Sequence, residues 1–152
     1  MSKGKFITGL GFVLALMVAG PACAQFSPVP TAKCKKPKPS LVKEAEAYRA
    51  DAARHLYACF ATKVYKGQLP PLLYGVMVVE TEIDAAGKVK GVNVVRKPAA
   101  AEVQPWVTSL IRRGAPYPAP ARLAGGKVKF TETFLVDKSG SFQTLSLSEG
   151  QL

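Results

Sequence analysis

A single histidine, His55, stands four residues before Cys59, so the two side chains share one face over a single helical turn. That spacing could let both ligate one metal ion, with Cys34 as a third donor. It could equally present a Cys–His nucleophilic pair. A zinc site calls for a fourth ligand, and a catalytic thiolate calls for a third group that orients the histidine. The sequence marks neither, so no metal ligands and no catalytic residues are assigned. The remaining carboxylates of chemical interest are Glu80 and Glu82. Two apart on an extended strand, they share a face at roughly 6 to 7 Å, a separation suited to a glycosidase pair. Cross-strand charge pairing with Lys90 and Arg96 is the simpler expectation. There is no Gly-rich phosphate loop, paired CxxC or Ser-centred elbow. The chain reads as a non-enzyme without cofactor, a periplasmic hydrolase using Glu80 or Glu82 being the alternative.

The chemistry of the two later cysteines depends on compartment. Lys3 and Lys5, the apolar run Phe6 to Ala19, and the small residues Ala22-Cys23-Ala24 follow one another in the order of an export signal, with cleavage expected after Ala24. The apolar run is about 14 residues, short of the roughly 20 that span a bilayer, and Pro21 blocks its extension. A retained inner-membrane anchor and a lipid-anchored Cys23 are the alternatives. In an oxidising compartment Cys34 and Cys59 read as a disulfide closing a 26-residue loop. Losing Lys3 and Lys5 leaves 19 basic against 10 acidic residues, a net charge of +9 on 128 residues. That balance favours anionic lipid, polyanionic glycan or acidic proteins. Basic residues interleaved with exposed aromatics, and a groove-reading helix, are both missing, which argues against nucleic acid.

Residues 25–40 hold four prolines and four lysines and read as an extended linker. Ser40 can cap a helix from Leu41 to about Phe60 whose apolar face is Leu41, Ala45, Tyr48, Ala52, Leu56 and Cys59. Leu72 to Ile83 reads as a strand with Met77, Val79 and Ile83 on one face. Asp84-Ala85-Ala86-Gly87 turns it into a second strand, Lys88 to Arg96. Val103, Trp106, Val107, Leu110 and Ile111 form the stripe of a second helix ending at Gly114. Lys127 to Asp137 alternates as a third strand, Val128, Phe130, Phe134 and Val136 against Lys129, Thr131, Thr133 and Leu135, and Phe142 to Leu147 can return as a fourth. The expected fold is α+β: an antiparallel sheet of three to four strands with a helix packed on one face, a β-β-α-β core preceded by the amphipathic helix 41–60. The domain organisation is then a signal peptide 1–24, a linker 25–40 and one folded domain 41–152.

Three segments taken in order resemble the C-terminal domain of TonB-type energy transducers: VVETEIDAAGKVKGVNVVR, WVTSLIRRGAPYPAPA and KVKFTETFLVD. The likeness runs from about Leu72 to Asp137. It implies a periplasmic module that binds an envelope or outer-membrane protein, a stretch of the partner adding as a strand beside the last strand of the domain. The corresponding edge here is Lys127 to Asp137, with Lys127, Lys129, Thr131 and Thr133 as contact positions. Two features depart from a transducer. The 16-residue leader reaches only roughly 50 Å at about 3.1 Å per residue, and SFQTLSL can pair with the third strand and cover its edge. The resemblance therefore implies a stand-alone binding domain rather than energy transduction, with adhesion to anionic lipid or glycan as the alternative.

Overall fold

The computed structural model describes residues 26–152. The segment expected to be an export signal, 1–24, and its expected cleavage site lie outside them. Among the described residues no helix is long and apolar enough to cross a membrane. The chain is α+β: helix α1 (Ala45–Cys59), strands β1 (Gly75–Ile83) and β2 (Val89–Arg96), helix α2 (Val103–Arg113), then strands β3 (Val128–Val136) and β4 (Phe142–Thr144). The four strands form one sheet in the order β2-β1-β3-β4, with each neighbouring pair antiparallel.

Period-two alternation sends one face of β1 and β3 inward. Met77, Val79 and Ile83 of β1 are buried there beside Val128, Phe130, Phe134 and Val136 of β3. Both helices cover this face. The α2 stripe, Val103 to Ile111 at helical spacing, is buried as the periodicity predicts. Gly75 lets α2 approach: a Cβ there would lie 2.9 Å from Val103 Cγ2. On α1 the buried residues are Tyr48, Ala52, Ala53, His55, Leu56 and Cys59. The two alanines keep that helix close to the sheet, and Tyr48 meets Phe130 edge-on at 5.4 Å between ring centroids.

The β1–β2 turn closes as its composition predicts. Asp84 Oδ1 accepts the Ala86 and Lys88 N–H groups, each at 2.9 Å. Gly87 takes φ +79°, a conformation that is free of strain only for a residue without Cβ.

Three local expectations give way to tertiary contacts. The first helix begins at Ala45 rather than Leu41, with Glu44 at its N-cap. Ser40 does not cap it. Its N–H donates to the Ala119 carbonyl at 2.9 Å and its hydroxyl donates to Asp51 at 2.6 Å, so it serves a long-range join instead. Leu41 accordingly leaves the buried face and is 66% exposed. The fourth strand stops at Thr144, and Leu145–Leu147 coils into a 3-10 turn. Gln143 explains the stop. Its amide donates to the carbonyls of Tyr65 and Gly67, and its Oε1 accepts from Ser148 and Glu149, which folds the chain back on itself.

The leader from Phe26 to Ser40 is extended, as its prolines demand, but it is fastened rather than loose. Lys33 N–H donates to the Cys59 carbonyl at 3.0 Å, and Cys34 is disulfide-bonded to Cys59. The Arg113 guanidinium donates to the Val29 carbonyl at 2.9 Å. Phe26 stacks on Tyr74 and meets Trp106 edge-on. The composition reads as a linker because nothing within the segment folds locally; the anchors come from residues far away in the chain.

Candidate functional site: the partly open edge of the third strand

Backbone parity in β3 settles which groups face which neighbour. The Val136 carbonyl accepts Tyr74 N–H, on the β1 side, and Asp137 N–H donates to Ser141, on the β4 side. In an antiparallel strand the N–H and C=O of one residue point the same way and alternate along the chain. The even-numbered residues of β3 therefore bond β1, and Lys129, Thr131, Thr133 and Leu135 present their backbone groups to the opposite side.

On that side β4 pairs only with Phe134, Leu135 and Val136. Thr133 is closed by other means: its N–H donates to the carboxylate of Glu132 at 2.8 Å. Among the described residues, no backbone hydrogen bond reaches Lys129 or Thr131 from that side. Both residues are exposed, as is Lys127 just before the strand. The open stretch is thus shorter than Lys127 to Asp137. Lys129 and Thr131 lie within it, and Thr133 sits at its capped end.

Glu132 is the residue that sequence reasoning missed. It occupies the inward row of β3 between Phe130 and Phe134 and is only 4% exposed. Its neighbours across a narrow gap are Arg49, Ala53 and Leu56 of α1, with Thr81 and Thr144. Ser146 donates through both its hydroxyl and its N–H to the carboxylate, which ties the turn after β4 to the strand. Desolvation pushes the carboxyl above its ordinary range, against the lowering effects of Ser146, Thr133 and Arg49. The available signal was a charged residue within an otherwise apolar alternation, Val128-x-Phe130-x-Glu132-x-Phe134-x-Val136.

Glu80 and Glu82 lie on the other face of the sheet, away from the helices. Their cross-strand neighbours on β2 are Asn93 and Gly91, not Lys90 and Arg96. The cation between them comes from the opposite neighbour: Lys129 Nζ lies 3.7 Å from Glu80 and 4.0 Å from Glu82. A register shift at Glu82/Ile83 moves Lys90 out of line with Glu82, and Arg96 lies opposite Val78 rather than either glutamate. With Gly91, Val92 and Asn93 the two carboxylates line a shallow depression on this face.

Cys34, His55 and Cys59 do come together, their donor atoms all within 4.8 Å of one another. The two sulfurs are bonded to each other. His55 Nε2 lies 2.7 Å from the Gly114 carbonyl. A carbonyl only accepts, so Nε2 carries the proton and donates. A sulfur in a disulfide is not a thiolate, and a protonated imidazole nitrogen offers no lone pair. In this state the cluster joins the leader, α1 and the end of α2.

Comparison of the chain with protein-family models, with curated proteins and with solved structures finds no match.

Proposed function

We propose that this protein is a non-enzymatic periplasmic interaction module of TonB C-terminal-like fold. In this reading it is exported, processed after Ala24, and takes an extended segment of an envelope or outer-membrane protein as an added strand along β3. The observation that carries the reading is the pair of unpaired backbone positions, Lys129 and Thr131, on the side of β3 that faces away from β1, between the strand's start and the capped Thr133. Each offers one donor and one acceptor to an incoming strand, and such groups supply affinity in β-augmentation. Lys127, just before the strand, has no ion pair among the described residues and favours an acidic side chain in the partner, whereas Lys129 already lies against Glu80 and Glu82.

Substitution of Thr131 by proline tests it. The Thr131 N–H faces away from β1, so proline removes no ladder bond from the domain but deletes a donor that the partner needs. The variant is expected to fold and to lose its partner, read as loss of the adducts that a photo-crosslinking residue at Lys129 gives in the cell envelope. In hydrogen exchange on the free protein, the Lys129 and Thr131 amides should exchange rapidly and the Phe130 and Leu135 amides slowly. Strong protection at Lys129 and Thr131 would mean the edge is already occupied, and the reading would fail.

A further inference from the structure

A second surface lies away from the strand edge, where the leader crosses the C-terminal end of α2. Cys34 Sγ lies 3.7 Å from the Gly114 carbonyl, Arg113 holds the Val29 carbonyl, and Ser40 N–H binds the Ala119 carbonyl. These joins lay the leader, which carries Lys33, Lys35, Lys36 and Lys38, along the end of α2 that carries Arg112 and Arg113, and all six side chains are exposed. Among the described residues none of the six has a carboxylate within ion-pairing distance; the ion pairs formed involve Arg49, Arg54 and Lys129 instead. The nearest acidic group along the leader contacts, Asp51, is neutralised by Arg54 at 2.8 Å and accepts from Ser40. The leader and the adjoining end of α2 therefore present six exposed like charges, none of them in an ion pair among the described residues.

The same end of the molecule carries an apolar element. Leu41 is 66% exposed, between Lys38 and Lys43. It borders an open cleft lined also by Pro37, Pro39 and Val42. A glycan polyanion would use the cations and leave an exposed leucine without a role. A bilayer surface uses both, since phosphates take the cations while an apolar side chain enters the headgroup boundary. We propose that this surface docks the protein on a membrane rich in anionic phospholipid, independently of strand capture at β3.

The probe is sedimentation of the processed protein with vesicles of phosphatidylglycerol and phosphatidylethanolamine, against vesicles of phosphatidylcholine alone. Binding is expected to the first and not to the second. It should fall steeply when salt shrinks the screening length from about 10 Å at 0.1 M to about 3 Å at 1 M. Each basic residue at an anionic surface contributes about 1 kcal/mol, or roughly fivefold. Replacing Lys33, Lys35, Lys36 and Lys38 by glutamine should thus weaken the partition coefficient by roughly 600-fold if the four contributions add. The Arg112→Gln/Arg113→Gln double variant should lose roughly 25-fold by the same rule. Leu41→Ser should weaken binding most visibly at high salt, where only the apolar contribution survives. Lys97→Gln, before α2, should change little. All these positions are exposed, and unchanged thermal melting will confirm that the variants fold. Equal binding to neutral vesicles, or full binding by the four-lysine variant, would overturn the proposal. Retention on a sulfated glycan with no vesicle binding would overturn it too, and would make a glycan the partner.

Discussion

Removing the disulfide is the sharpest test of whether leader and domain form one cooperative unit. Cys34 and Cys59 are 25 residues apart in sequence. Closing a loop of that length in the unfolded chain is worth about 3.5 kcal/mol on the chain-entropy relation. The described part of the chain is 127 residues, from 26 to 152. At about 2.1 cal/mol/K per residue its unfolding entropy is near 270 cal/mol/K, so a loss of 3.5 kcal/mol lowers Tm by about 13 °C. The measurement is urea unfolding and calorimetry of the parent with and without a phosphine reductant, and of the Cys34→Ala/Cys59→Ala variant. Reduced parent and variant should agree, and the variant should ignore the reductant. The stabilisation requires that leader and domain unfold together, because the cross-link then restricts the whole unfolded chain. A loss below about 1 kcal/mol would show that residues 26–40 detach before the domain unfolds, and would refute the leader as an integral part of the fold.

Other perturbations probe the core and the edge. Phe142 is fully buried among Tyr57, Trp106 and Phe134, so Phe142→Ala should cost about 3 to 5 kcal/mol in urea unfolding. Gly87→Ala meets two penalties, a left-handed φ and a Cβ 2.1 Å from the Tyr117 carbonyl oxygen. It should destabilise by well over about 1 kcal/mol and loosen the 114–118 connection, read by exchange at the Tyr117 amide. Glu132 holds its proton more tightly when folded, chiefly through desolvation. The folded chain then binds more protons than the unfolded one over the window upward from about pH 4.3, and stability falls as pH rises through the folded value. Glu132→Gln should flatten that part of the stability–pH curve; a variant as pH-dependent as the parent would show that Glu132 is not its source.

Several elements were legible without coordinates because their signals are local. The α2 stripe spans two turns of one helix. The Asp84 to Gly87 turn carries its own left-handed residue, and the inward rows of β1 and β3 repeat every two positions. The helix start was misplaced because the hydroxyl expected to cap it is drawn to Asp51, while its N–H is held by Ala119, 79 positions further along the chain. The Glu80 and Glu82 partners were misplaced because a bulge shifts register without leaving a mark in composition. Glu132 was overlooked because nothing local distinguishes a buried carboxylate from a solvated one; its burial depends on α1 arriving over β3 and on Ser146 returning to it.

The division follows from the range of the interactions. Periodicity, turn residues and cysteine parity are properties of a few neighbouring residues, so the amino-acid sequence alone determined an α+β chain with a β-hairpin, an amphipathic helix over a sheet and a cysteine pair. The extent of the open β3 edge was decided by Gln143 and Glu132, which bend the last strand away after three residues and cap Thr133. The course of the lysine-bearing leader along the end of α2 was decided by contacts around Gly114 and Ala119. Both surfaces are juxtapositions of segments far apart in the chain, and only tertiary packing brings such segments together.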